Sequence, residues 1–201
     1  MPHRARRLLI PLVGLLLVGS VSPGTSARAE CEVIDPLNVL PGDAACPGWV
    51  RDGEPMAAYT LEELMLIIDG GAMLYGQYGF VAAAFQNYAG DAGGTPTAAT
   101  LSAFNQGSAE NAHALYLDPE SGWGDPVVDW GGAGAARVRL DFGYATFQFW
   151  EACFYVSIVV GPGDEGLGPA ARCLAEAAVE RIQGATPAAI DDWGAIKAQF
   201  R

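Results

Sequence analysis

The chain of 201 residues has few of the side chains on which common catalytic and metal-binding motifs depend. It contains two histidines, and only His113 lies beyond the N-terminal leader described below. This scarcity excludes Ser-His-Asp and Cys-His schemes unless His113 itself is the base. The acidic residues do not follow the D-x-D-x-D-G spacing of a calcium loop, and no phosphate-binding motif stands out. No cofactor and no metal are therefore expected.

Positive charge is also scarce. The chain has 11 Lys and Arg residues against 23 Asp and Glu residues, for a formal net charge of -12 at pH 7. Loss of residues 1–29 would remove four arginines and no acid, which leaves seven basic against 23 acidic side chains, or −16. Nucleic acid and anionic lipid are therefore poor partners. A solvated acidic surface, a basic partner and a salt-rich habitat are all compatible with this charge.

The N-terminus has the pattern of an export signal. Arg4, Arg6 and Arg7 precede an apolar run over residues 8–21, and residues 27–29 read Ala-Arg-Ala, an A-x-A cleavage site. The run is too short, and too interrupted by Pro and Gly, to span a membrane. The sequence predicts an exported protein, periplasmic or extracellular after cleavage near Ala29, and not an integral membrane protein. A twin-arginine signal at Arg6 and Arg7 is the alternative export route.

All four cysteines lie beyond the leader, at Cys31, Cys46, Cys153 and Cys173. An even number of cysteines in an exported chain predicts two disulfides, for which three pairings are possible. We favour Cys31–Cys46, which closes a Pro- and Gly-rich arm, and Cys153–Cys173, which joins a strand to the helix after it. A zinc site made of four cysteines is the alternative, but the chain lacks a C-x-x-C pair.

A capping box opens the most regular helical segment of the chain. Thr60 followed by Glu63 predicts the helix start, and Tyr59 can pack on Leu64 across the first turn. Apolar residues then recur at helical spacing and form one stripe that should lie on a sheet. The residues of this stripe are Leu61, Leu64, Met65, Ile68, Ala72 and Tyr75.

The triplet Asp69-Gly70-Gly71 interrupts this helix. Each glycine costs roughly 1 kcal/mol relative to Ala if the helix continues through it. A structural explanation is close approach of the backbone to a neighbouring strand, or a break at which Asp69 caps a second short helix. A functional explanation is a ligand that meets backbone N–H groups at the break, with Asp69 as acid, base or ligand. Asp69, Gly70, Gly71 and the following Tyr75 are therefore candidate site residues.

The remaining elements predict the fold class. Strands are expected over residues 80–88, 97–104, 127–130, 137–142, 144–150 and 153–160, and helices over residues 109–117, 164–183 and from 186 onward. In the clearest period-two segment Val138, Leu140 and Phe142 alternate with polar residues. Runs of strands joined by short links predict a single α+β domain, disulfide-bonded, with a mainly antiparallel sheet and helices packed on it.

Four segments follow from these elements. Residues 1–29 are the signal peptide, and residues 30–57 form a turn-rich N-terminal arm packed on the domain. Residues 58–184 form the α+β domain, and residues 185–201 form a C-terminal helix docked on it.

Three motifs resemble the DUF6599-like family of exported bacterial proteins of unknown function. They are IDGGA at 68–72 with the aromatic residues up to Phe80, GSAENA at 107–112 with Leu115-Tyr116, and Phe149-Trp150 leading into residues 154–156. The resemblance covers roughly residues 59–160. It implies an exported domain and no established activity or catalytic residues. His113 stands where the family tends to have an aromatic or aliphatic residue.

Two carboxylates, those of Asp69 and Glu110, form a possible site. Asp69 and Glu110 each lie at the turn of a motif, so they are candidates for a two-acid site. Asn111 is a further candidate ligand-binding residue, although Ser108, Glu110 and Asn111 also suit a helix cap and first turn. The aromatic residues of the later strands could line a ligand pocket or fill the core.

These observations favour an exported domain without catalytic activity, acting in recognition or as an accessory at the cell envelope. Its partner would be an envelope protein or an unknown small molecule. The alternative is a small-ligand-binding protein or hydrolase with a site around Asp69 and Glu110. A structural subunit that pairs through its sheet edge or its tail helix is a third possibility.

Overall fold

The computed structural model describes residues 34–185, in which a seven-stranded sheet is the central element. The predicted leader, Cys31 and the helix expected from residue 186 lie outside the described residues. Every strand pair is antiparallel, and the strands lie in the order β1-β2-β3-β7-β6-β5-β4. The strands are β1 Val50–Ala58, β2 Ala82–Ala92, β3 Thr95–Asn105, β4 Asp125–Pro126, β5 Ala136–Asp141, β6 Tyr144–Glu151 and β7 Phe154–Gly161.

Helices cover both faces of this sheet. They are α1 Leu61–Ile68, α2 Ala72–Gln77, α3 Ala109–Leu117 and α4 Leu167–Ala185, with short 3-10 turns at Pro36–Val39, Asp69–Gly71 and Pro119–Ser121. The predicted α+β class, with an antiparallel sheet, packed helices and a disulfide, is confirmed. Among the helices within residues 34–185, none is both long and apolar enough to cross a membrane.

Each face of the sheet has its own core. On the face of α1, α2 and α3, which we call the α1–α3 face, Leu64, Phe104 and Tyr155 are buried. On the opposite α4 face, Leu101 and Ile158 pack under α4 and the N-terminal arm. Because β7 is covered on both sides, its sequence reads as a nearly continuous apolar run, whereas β3 alternates polar and apolar residues toward its exposed start.

The first strand lies within the segment that the sequence indicates as a turn-rich arm. Val50–Ala58 forms one edge of the sheet, and its pairing with β2 is interrupted by a bulge between Asp52 and Met56. Gly53 in this bulge has φ 76°, and Pro55 follows it. Glycine, proline and charged residues discourage strand assignment from sequence, but they suit an exposed edge that must not pair with another chain.

Another predicted strand is displaced. Residues 127–130 do not form a strand; the ladder with β5 contains only Asp125–Pro126. Asp129, with φ 55°, ends the extended conformation. By contrast, α1 begins as expected, because Thr60 and Glu63 exchange both hydrogen bonds of the capping box.

The disulfide joins Cys46 to Cys173, with the two Cα atoms 5.8 Å apart. The predicted pairs Cys31–Cys46 and Cys153–Cys173 are therefore both wrong. Sequence reasoning favoured short loops, whereas the fold brings the N-terminal arm against α4 across a separation of 127 residues. Cys153 is fully buried beside the turn between β6 and β7.

The arm is anchored on the sheet by an indole ring. Trp49 is 3% exposed and lies over Gly90 of β2. A Cβ atom at Gly90 would come within 2.4 Å of the Trp49 ring. The close approach to a glycine backbone that the sequence suggests at residues 70 and 71 occurs here instead.

Replacing both Cys46 and Cys173 with Ala should lower the free energy of unfolding by roughly 2–5 kcal/mol, because the crosslink restricts a long loop of the unfolded chain. Urea denaturation measures this change. Peptide mapping of the unreduced protein should recover Cys46 linked to Cys173, and a peptide joining Cys153 to Cys173 would contradict the assignment.

Candidate functional site

The Asp-Gly-Gly triplet forms a break between α1 and α2. Asp69 has φ 53°, and its backbone N–H donates to the Met65 carbonyl. Asp69, Gly70 and Gly71 are all exposed. A Cβ atom at Gly70 or Gly71 would meet no atom within 4 Å. The helix breaks as expected, but Asp69 does not cap the second helix, whose N-cap residue is Gly71 and which has no side-chain cap hydrogen bond. The expectation that another part of the molecule presses on this backbone is also wrong.

The second motif forms a polar junction between α2, β3 and α3. Asn111 Nδ2 donates to the Gln106 carbonyl at 2.9 Å, and Gln106 is fully buried. Gly79, with φ 77°, lies against Asn111, whose Nδ2 would be 2.6 Å from a Cβ atom there. The motifs at 78–80 and 106–111 therefore have a folding reason, which is to satisfy backbone groups where three elements meet.

Glu110 acts locally in the first turn of α3. Ser108 caps this helix by accepting from the Asn111 N–H at 3.2 Å. A hydrogen bond from the backbone N–H of Glu110, with a further one from Ser108, lowers the pKa of the Glu110 carboxyl. This is the behaviour of a first-turn acid that compensates free N–H groups.

A tyrosine links the end of α2 to the end of α3. The Tyr78 hydroxyl donates to Asp118 Oδ2 at 2.5 Å. This hydrogen bond, followed by one from the Glu120 N–H, lowers the pKa of the Asp118 carboxyl, and the same bond raises the pKa of Tyr78. Asp118 is therefore held in its ionised form by two donors.

Two other candidates are engaged in aromatic packing. Tyr75 stacks on Phe104 with ring centroids 3.9 Å apart, and its burial raises the pKa of its hydroxyl. His113 is exposed and stacks on Trp150 at 4.7 Å. Tyr75 thus contributes to the core of the α1–α3 face, and His113 covers a tryptophan.

Asp69 and Glu110 lie in different surroundings, one in an exposed break and the other on the first turn of α3. Neither of them lines the cavities described below. A cavity of about 230 Å³ does lie beside the end of α1, where Ile67 and Ile68 face the strands. Its polar lining includes Asn87 and Thr100, which hydrogen-bond to each other at 2.9 Å.

The most unusual surface feature is the tip of the hairpin that joins β5 to β6. The turn consists of Phe142 at φ 48° and Gly143 at φ 78°, which is the type I′ pattern that favours Asn-Gly. Phe142 is 93% exposed, with Leu140 69% and Tyr144 42% exposed beside it. We call these three side chains the hairpin tip.

A cavity of about 360 Å³ lies between the hairpin tip and the start of α4. Its apolar lining includes the hairpin tip with Leu167 and Pro169. Asp141 and Asp164 also line it, and none of its lining residues is basic. The arrangement can hold an apolar side chain and favours a cation at its rim.

The segment after β7 braces the hairpin tip from below. The Gly163 N–H donates to the Gly143 carbonyl at 2.9 Å, and Thr97 Oγ1 donates to the Pro162 carbonyl at 3.0 Å. A Cβ atom at Gly161 would lie 2.6 Å from Tyr144 Cδ1, so the backbone passes directly under the Tyr144 ring. The exposed apolar side chains therefore stand on a fixed scaffold.

The sequence places Phe142 on the apolar side of a strand, and this interpretation is wrong for Phe142. Its neighbours Val138 and Leu140 do belong to β5, but β5 ends at Asp141, so Phe142 lies in the turn. A Phe-Gly pair between two predicted strands is the signal that could have revealed an exposed aromatic turn. Four of the later aromatic residues, Phe147, Phe149, Phe154 and Tyr155, are fully buried in the core, whereas Trp123 is 65% exposed.

The arginines leave the acidic surface largely uncompensated. Among residues 34–185 the only ion pair is Arg172–Glu176, at 2.7 Å. Arg172 itself also donates to main-chain carbonyls, those of Val128 and Asp129. Three other arginines do the same: Arg51 to Pro41 and Leu40, Arg137 to Tyr116, and Arg181 to Asn38. These arginines hold loops in place, and within residues 34–185 Glu176 is the only carboxylate in an ion pair.

Comparisons of this chain with protein-family models, with curated proteins and with solved structures found no match.

Replacing Gly71 with Ala should raise the free energy of unfolding by roughly 0.5–1 kcal/mol. Gly71 has helical dihedrals, φ -66° and ψ -19°, and a Cβ atom there meets nothing. Gly76→Ala is the matched control, since its Cβ atom would lie 3.0 Å from Leu61 Cδ2 and Leu61 must shift. Urea denaturation measures both, and a loss of stability in Gly71→Ala would contradict the free space seen there.

Replacing Tyr78 with Phe should raise the pKa of Asp118 toward its ordinary value, because the first of its two donors is lost. A carboxyl with a lowered folded pKa stabilises the fold above its unfolded pKa, about 3.9, and loses that contribution as pH falls through the folded value. The loss of stability below about pH 4 should therefore shrink in the variant. NMR titration of the Asp118 carboxyl measures the change. Tyr59→Phe is the control, and an unchanged Asp118 titration in Tyr78→Phe would disprove the coupling.

Proposed function

We propose that this protein is an exported, non-catalytic recognition domain that acts at the cell envelope and binds another protein through its hairpin tip. The observation that carries this proposal is the exposure of Phe142 in a turn that disfavours it. The resemblance to the DUF6599-like family, which would also make it an exported domain, remains part of the proposal.

Phe142 has no folding role that would explain its presence. A side chain in the left-handed region costs on the order of 1–2 kcal/mol, and Asn or Gly would avoid most of that cost. A side chain that is 93% exposed recovers almost nothing by burial. Strained residues that the fold does not need tend to serve function.

The residues considered for catalysis have structural roles that support a non-catalytic function. The Glu110 carboxylate accepts a hydrogen bond from a free N–H group in the first turn of α3, and Tyr75 packs on Phe104. Asn111 supports the polar junction through Gln106, and His113 stacks on Trp150. Asp69 is exposed in the break between α1 and α2.

A small-ligand site near Asp69 is the second candidate function. The cavity of about 230 Å³ at Ile67 and Ile68 supports it, because Asn87, Thr100 and Ser102 supply polar groups opposite an apolar wall. A hydrolase screen of the mature protein separates the two functions. Turnover that Asp69→Asn abolishes would favour the second candidate over recognition.

Site-specific photocrosslinking in the cells that produce the protein tests the recognition function. Benzoylphenylalanine at position 142 should form a discrete covalent adduct, because a bound partner would cover this ring. Position 95, exposed at the tip of the β2–β3 hairpin, is the matched control and should form none. The proposal fails if no adduct forms at position 142, or if both positions give the same adducts.

A further inference from the structure

The geometry points to a basic segment of a partner protein as the occupant of the hairpin tip and its cavity. An aliphatic or aromatic side chain of that segment enters the cavity of about 360 Å³, and a Lys or Arg beside it pairs with Asp141 and Asp164. This inference rests on the proposed function and specifies the partner's chemistry.

The apolar half of the site consists of an exposed aromatic side chain and an adjacent cavity. Phe142 projects into solvent, and the cavity beside it is walled by Leu140, Tyr144 and Leu167. Its volume lies at the lower end of the roughly 300–1,000 Å³ found for pockets that hold drug-sized ligands. It therefore suits one anchor side chain and the backbone that carries it.

The charged half selects a cation. Asp141 and Asp164 line the cavity, and Glu165 is exposed next to it. The N-terminus of α4 also reaches this cavity at Leu167, but a helix end contributes only about half an elementary positive charge. Two full carboxylate charges outweigh it, so the rim stays negative. Basic side chains on a partner are complementary to this rim.

The same charges argue against the other occupants of an apolar surface. A second copy of this chain, bound through the same patch, would bring two acidic rims together. An anionic lipid surface would be repelled for the same reason. A basic protein segment is the occupant for which both the apolar wall and the rim charges are favourable.

The bracing of the tip makes binding less costly. The Gly163–Gly143 hydrogen bond and the position of Gly161 under Tyr144 fix the hairpin before a partner arrives. Little conformational entropy is lost when a rigid surface binds. The fold thus holds the strained turn at Phe142 rigid in the conformation that we propose binds the partner.

Three synthetic peptides test this inference on the purified, oxidised mature protein. The first carries a central phenylalanine flanked by two lysines on each side. The second replaces the phenylalanine with serine, and the third replaces the lysines with glutamates. In NMR titrations only the first should bind, and it should shift the signals of Phe142, Leu140 and Leu167.

The variant Phe142→Asn separates binding from folding. It should weaken binding of the first peptide at least about tenfold, while the thermal midpoint rises by about 2–4 °C because the turn is relieved. The double variant Asp141→Asn/Asp164→Asn should weaken binding to a similar extent and reduce its salt dependence, while Glu165 keeps part of it. Asp91→Asn in the β2–β3 hairpin is the charge control and should leave binding unchanged.

The inference is overturned if the first peptide does not bind, if the glutamate peptide binds equally well, or if Phe142→Asn leaves binding unchanged. Binding to vesicles of zwitterionic phosphatidylcholine that Phe142→Asn abolishes would also overturn it, in favour of a bilayer surface. A crosslink at position 142 without peptide binding rejects only the basic chemistry of the partner. Absence of that crosslink rejects the recognition function itself.

Discussion

The pairing of β3 with β7 is the constraint on which the rest of this structure depends. It joins the hairpin of the first half of the domain to the strands of the second half, in register from Ala98 opposite Gly161 to Asn105 opposite Phe154. Phe104 and Tyr155 face one core from this pair, and Leu101 and Ile158 face the other. A slip of one residue would exchange the two faces, so both cores fix this register.

The two ends of this strand pair lie in different surroundings. At one end, Asn105 and Gln106 form the polar junction that receives α2 and α3. At the other end, β7 leaves the sheet through Gly161 and runs under the β5–β6 hairpin. At the end near the junction, side chains of the domain itself satisfy the hydrogen-bonding groups of the backbone. The opposite end presents Phe142 and the adjoining cavity to solvent, which is why our functional proposals concern that end.

The acidic charge and the strained turn at Phe142 further distinguish the two ends of the β3–β7 pair. Arginine side chains hold the loops through main-chain carbonyls, and among residues 34–185 the only ion pair is Arg172–Glu176. The turn at Phe142 carries a conformational cost that the fold does not require. A surface that is both acidic and apolar, held on a rigid hairpin, is suited to a basic partner with an apolar anchor.

Features that depend on near neighbours along the chain are predictable from the amino-acid sequence. Thr60 and Glu63 specify the start of α1, Ser108 specifies the start of α3, and the apolar stripe of residues 167–182 specifies α4. Alternation and short links were sufficient for the antiparallel α+β class, because local periodicity reports which face of an element is buried. Four features became visible only in the folded molecule: the partner of Cys46, the edge strand β1, the free space at Gly71 and the exposure of Phe142. The first three depend on which distant segment lies nearby, and local spacing does not report that contact. The exposure of Phe142 depends instead on where β5 ends.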